Sequence, residues 1–148
     1  LNILLCSEGG SLKAKITDFG LSRIAMGDNC ESTNTNHISI RWAAPEMLQD
    51  RPKISKSIDM YAFGIIMWEI IALKRPYADM NLAPLIQKVV SGGREDIPDD
   101  TPSCISSLIR KCWAQYSEDR PKASYVREML INFQQSCDTL GESIMEPT

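Results

Sequence analysis

The sequence predicts a mainly α fold with one small β-hairpin near its amino-terminal end. Three observations lead there. Two short apolar runs flank Gly9-Gly10, the pattern of a tight hairpin. From Pro45 onward, apolar residues recur every three or four positions in stretch after stretch, the mark of helices packed on a core. The composition, 43% apolar and 24% charged over 148 residues, suits one ordinary globular domain.

The elements follow in order. Residues 2–5 form a short, mostly apolar run, and residues 12–17 alternate apolar side chains with lysines, so the two runs read as paired strands. Residues 22–39 are rich in Ser, Thr, Asn and Asp and lack periodicity. They read as a long loop, of a length that usually serves function. Pro45 suits the first turn of a short helix through Leu48. Ser57 is placed to cap a helix over 58–73 that is apolar on nearly all faces, hence central to the core. A helix over 82–90 is stopped by Gly92-Gly93, and amphipathic helices are expected over 102–113 and 122–133. The polar stretch 139–148 reads as a frayed tail or linker.

Composition also excludes. A net charge of −3 offers no basic field for nucleic acid or anionic lipid. The longest apolar stretch, residues 60–73, is interrupted by Glu69 and is too short to span a bilayer. No signal-peptide pattern opens the chain. The five cysteines are odd in number and form no C-x-x-C pair, and there is one histidine. Zinc is therefore not expected, and the thiols read as reduced, intracellular ones, in keeping with a cytoplasmic location.

Chemistry is concentrated in five short segments. Asn2 lies sixteen residues before Asp18-Phe19-Gly20, and Ser39-Ile40-Arg41-Trp42 runs into Ala44-Pro45-Glu46. Asp59-Met60-Tyr61-Ala62-Phe63-Gly64 opens the central helix, and Arg75-Pro76-Tyr77 follows it. Cys112-Trp113 is followed after six residues by Arg120-Pro121. Taken singly, Asp18-Phe19-Gly20 reads equally as a strand-ending turn, Asn2 as a turn residue and Asp59 as an acid favoured by a helix dipole. Together, in this order and spacing, the segments resemble the second half of a protein-kinase catalytic domain of the tyrosine-kinase or tyrosine-kinase-like groups, over residues 1–135.

The resemblance implies the helical C-terminal lobe of a kinase, with residues 136–148 as a tail and the ATP-binding lobe absent from the chain. It implies ATP and Mg²⁺ as cofactors. Asp18, the D-F-G acid, and Asn2, of the catalytic loop, stand at the metal-binding positions, where hard oxygen donors suit a hard cation. Phe19 and Gly20 complete that ATP-side element. Residues 22–39 correspond to the activation loop, with Ser22, Ser32, Thr33, Thr35 and Ser39 as hydroxyls that a phosphate could occupy. His37 in that loop reads as a surface residue. Ile40, Arg41 and Trp42 correspond to the substrate-docking segment. Glu46 and Arg120 are expected to form a buried ion pair, and Asp59 to accept backbone N–H groups of the catalytic loop.

The general base of the family, the Asp of H-R-D, would fall just before Leu1, and no G-x-G-x-x-G loop or V-A-I-K lysine occurs in the sequence. The 148 residues alone are therefore expected to be inactive, while the parent protein transfers phosphate to a protein substrate. Ile40-Arg41-Trp42 and Leu21-Ser22-Arg23 resemble tyrosine kinases. Leu1 in place of Arg, Ser39 in place of Pro, and a loop without Tyr lean toward a tyrosine-kinase-like serine/threonine enzyme. A tyrosine kinase and a catalytically silent pseudokinase remain the alternatives.

Overall fold

The computed structural model describes residues 3–17 and 39–144. The chain divides into two compact units, Leu1–Asn36 and His37–Thr148.

In the first unit, β1 (Ile3–Glu8) pairs antiparallel with β2 (Ser11–Ile16), with Ile3 opposite Ile16 and Glu8 opposite Ser11. Gly9 and Gly10 form the two-residue turn with φ of 60° and 81°, conformations that favour glycine and match the twist of a tight hairpin. Glu8 receives ion pairs from both Lys13 (2.9 Å) and Lys15 (2.6 Å) on the facing strand. The Lys15 and Lys13 bonds hold its carboxyl below the usual carboxylate range. A two-stranded hairpin has no core of its own, and Leu4, Leu5, Leu12 and Ile16 are exposed.

The second unit is built on helices. Single 3₁₀ turns over Ile40–Trp42 and Pro45–Met47 lead into α1 (Ser57–Ala72), followed by α2 (Leu82–Val90) and α3 (Ser103–Cys112). A further 3₁₀ turn, Ser117–Asp119, precedes α4 (Ala123–Ile144). The core is one cluster in which Tyr61, Ile65 and Trp68 of α1 meet Leu85 and Val89 of α2, Ile105, Leu108, Ile109 and Cys112 of α3, and Val126 of α4. Burial pushes the Cys112 thiol up to about 11, so it behaves as a small apolar side chain. Cys6, Cys104, Cys112 and Cys137 are all free thiols.

Two expectations are corrected. Ser57 does not cap α1: Lys56 occupies that position without a side-chain bond, and Ser57 lies inside the first turn. The Ser55 carbonyl already accepts the Ile58 N–H at 3.2 Å, so the chain enters the helix from a wound turn. The last helix does not stop near Phe133, and residues 139–144 are not a frayed tail, because α4 runs on to Ile144. Nothing between Phe133 and Leu140 breaks a helix, and the three-and-four spacing continues through Cys137, Leu140 and Ile144.

Helix α1 packs closely on α3 at Gly64. A β-carbon added at Gly64 would lie 2.9 Å from the Cys112 Cβ and 3.0 Å from the Trp113 backbone nitrogen. Gly64→Ala is therefore expected to cost about 1–3 kcal/mol by overpacking, seen as a lower midpoint in chemical denaturation. The end of α1 carries the opposite opportunity. Leu73 caps it in the left-handed region at φ 51° while 88% exposed. Leu73→Gly removes that backbone penalty and should raise stability by about 1 kcal/mol in the same measurement.

Candidate functional site

Of the residues assigned from the sequence, Asn2, Asp18, Phe19, Gly20, Ser22, Ser32, Thr33, Thr35 and His37 lie outside the described residues. An amide oxygen and a carboxylate are a donor set that fits Mg²⁺, and the fit rests on that chemistry. Ser39 is exposed at the start of the 3₁₀ turn that holds Ile40, Arg41 and Trp42.

Trp42 and Arg41 are anchored by different means. The Trp42 indole N–H donates to Glu69 Oε2 of α1 at 2.9 Å, and its ring packs against the core beside Ile40. The Arg41 guanidinium turns inward. It donates to the carbonyls of Pro76 (3.1 Å), Tyr77 and Met80 (3.0 Å) in the turn after α1. Three carbonyl partners leave this arginine holding the backbone of its own protein. Residues 40–42 are thus fixed by a side chain that the resemblance assigned to a substrate-docking surface.

Glu46, at the second residue of the Pro45–Met47 turn, meets Arg120 from 74 positions along the chain. Arg120 Nη1 and Nη2 donate to Glu46 Oε1 and Oε2, both at 2.7 Å, the two-pronged geometry that suits a guanidinium and a carboxylate. The arginine side chain is fully buried and the Glu46 side chain is 14% exposed. Its remaining donors reach the carbonyls of Ala114 (3.0 Å), Ser57 (3.0 Å) and Gln115 (3.3 Å). Burial by itself would raise the Glu46 carboxyl, but the Arg120 bond and charge outweigh it and hold the group below its ordinary 4.5.

Asp59 is exposed in the first turn of α1. The loop backbone expected to bind it lies outside the described residues.

Sequence reasoning missed a second arginine. The Arg94 guanidinium lies 5.0 Å from the Tyr61 ring centre and Arg120 lies 5.2 Å from it, so one buried phenol ring meets two cations. Arg94 also donates to the carbonyls of Val89 (3.2 Å), Gly93 (2.8 Å) and Trp113 (3.0 Å) and to Gln115 Oε1 (2.8 Å). Its only signal in the sequence is its place after Gly92-Gly93, which does not distinguish it from a loop arginine. The Tyr61 and Tyr77 hydroxyls are both buried and interact with each other. Burial, above all, pushes both phenols to higher pKa. Glu95, also unmarked in the sequence, accepts the Tyr77 backbone N–H at 2.6 Å.

The ion pair generates a pH-resolved prediction. Removing one partner strands a buried charge, so Glu46→Ala is expected to cost about 3–5 kcal/mol in chemical denaturation. A carboxyl whose folded pKa is depressed contributes stability above its unfolded value and loses it as pH falls through the folded value. The wild-type chain should therefore lose stability on acidification below pH 4.5, the ordinary Glu46 value. Glu46→Gln should show a flatter profile in that window.

Comparison with known proteins agrees with this frame. A family model described as protein tyrosine and serine/threonine kinase matches residues 1–130. The chain is 39% identical over 133 residues to the probable serine/threonine-protein kinase pats1 of Dictyostelium discoideum, covering 88% of this chain and 4% of that protein. It is 34% identical over 148 residues to ephrin type-A receptor 4-B of Xenopus laevis, covering 98% of this chain and 15% of that one. Against human ephrin type-A receptor 5 it is 36% identical over 132 residues, or 87% of this chain and 12% of the receptor. The chain thus spans at most 15% of the length of these relatives. With the family model matched across nearly its whole length, this chain belongs to the protein tyrosine and serine/threonine kinase family.

Proposed function

We propose that residues 1–135 are the C-terminal lobe of a kinase catalytic domain, with 136–148 as a tail, whose parent protein phosphorylates serine or threonine in proteins. The observation that carries this reading is the coupling of the docking segment to the buried frame. Arg41 and Trp42 tie residues 40–42 to the turn after α1 and to α1 itself, two residues before the Ala44-Pro45-Glu46 element that Arg120 holds. A peptide platform must be rigid to present a hydroxyl in line with a phosphoryl group, and such positioning is most of what a kinase does.

The division of labour follows from donor chemistry. Asp18 and Asn2 would hold Mg²⁺, which when bound neutralises charge on the phosphates of ATP. Phe19 and Gly20 lie on the ATP side, and Ile40, Arg41 and Trp42 shape the peptide side. Phosphorylation at Ser22, Ser32, Thr33, Thr35 or Ser39 would add charge able to order the loop by pairing with an arginine. No G-x-G-x-x-G loop or H-R-D motif occurs among these 148 residues, so phosphoryl transfer by them alone is not expected. Among the described residues no helix is long and apolar enough to cross a membrane. A cytoplasmic working location agrees with the free thiols.

The leaning toward Ser/Thr hydroxyls rests on a 22–39 loop with no tyrosine and on Ser39 in the docking segment. Tyrosine specificity is the second reading, favoured by Ile40-Arg41-Trp42 and by the similarity to ephrin receptors. Assay of the intact kinase with Mg-ATP on mixed Ser/Thr and Tyr peptides decides between them. Label is expected on Ser/Thr, and Asp18→Asn should lower turnover by about a hundredfold or more, the scale of losing one transition-state charge partner. A folded, intact protein without activity would instead mark a pseudokinase.

A further inference from the structure

Tyr77 adopts the left-handed backbone region at φ 51°, a conformation that disfavours a bulky side chain. It is held there on every side. The ring is 1% exposed, with the Lys88 ammonium 5.4 Å from its centre. The backbone N–H donates to Glu95 Oε1 at 2.6 Å, a short bond to a charged acceptor. The Tyr77 carbonyl accepts from Arg41 and from the Met80 N–H, the latter at 3.1 Å. This unusual turn gathers the carbonyls of Pro76, Tyr77 and Met80 on one guanidinium, that of Arg41 in the docking segment. A chain of contacts thus runs from the Glu95 carboxylate through a strained backbone to residues 40–42.

We propose that Glu95 is a positioning residue for peptide substrate, fixing the left-handed Tyr77 whose turn clamps Arg41. Glu95 touches neither peptide nor nucleotide in this scheme; it sets the height and angle of the docking segment from beneath. Its second neighbour is the Lys88 ammonium, 3.6 Å from the other carboxylate oxygen. The inference rests on residues 40–42 being the docking segment, and the test separates the two.

The experiment compares Glu95→Ala, Glu95→Gln and Trp42→Ala in the intact kinase, by steady-state kinetics on peptide and ATP and by amide exchange. Glu95→Ala should raise peptide KM about tenfold, the scale of a lost charge-assisted hydrogen bond, with ATP KM and kcat changed by less than about twofold. Exchange at the Trp42 and Ala43 amides, which close the Ile40–Trp42 turn, should quicken in the same variant. Glu95→Gln should restore most of both, since its amide oxygen accepts the same N–H. If Glu95→Ala does not fold, Glu95→Asp, which keeps the charge but shortens the reach, takes its place. Peptide and ATP KM rising together, unchanged exchange, or no rescue by Gln would overturn the assignment. An unchanged peptide KM in the Glu95 variants beside a raised one in Trp42→Ala would overturn it while leaving the docking reading intact. An unchanged peptide KM in Trp42→Ala would remove the docking reading itself, and this assignment with it.

Discussion

Arg120 is the residue on which the frame of the helical unit depends. A guanidinium taken fully out of water is stable only when its donors are met, and here they are met from several directions. Glu46 supplies the compensating charge, the start of α1 supplies the Ser57 carbonyl, and the segment after α3 supplies those of Ala114 and Gln115. One side chain therefore fixes the Pro45–Met47 turn against α1 and against the approach to α4. Its position above the Tyr61 ring joins this polar junction to the apolar core, with Arg94 on the same ring repeating the arrangement.

The core explains why such a junction can form. Helix α1 brings Tyr61, Ile65, Met67 and Trp68 inside, and Gly64 lets its backbone come close to α3. Close approach brings the Cys112-Trp113 end of α3 beside α1 and leaves the following segment only a short path to Arg120. The Trp68 indole is more than filler: its N–H donates to the Asp96 carbonyl at 2.8 Å and ties the loop after α2 to the central helix. That loop carries Arg94 and Glu95, so the core helix governs where both charged groups lie.

Residues 40–42 inherit their rigidity from this arrangement. Residues 40–42 form a single 3₁₀ turn with few bonds of their own, and a turn of that length does not hold its shape unaided. Arg41 and Trp42 supply the missing constraint by reaching the turn after α1 and the Glu69 carboxylate.

Much of this was readable from residue order alone. Helix α2 falls on residues 82–90 as expected, because the two glycines that stop it, Gly92-Gly93, are a local signal. The hairpin follows from Gly9-Gly10 in the same way. The Glu46–Arg120 pair was legible only through resemblance to a family, since nothing local links residues 74 positions apart. Other features were beyond a linear reading. Ser57 looks like a cap but sits inside a helix that an upstream turn had already started. Arg41 looks like surface, yet three carbonyls gathered by the left-handed Tyr77 draw its guanidinium inward. Arg94 and Glu95 look like loop charges and become ring-stacking and backbone-holding groups. The sequence by itself determined the helices, the hairpin and the family, because periodicity and turn residues act over a few neighbours. The tertiary structure alone decided which charges are buried and what they hold, because a charge chooses its partner by distance in space.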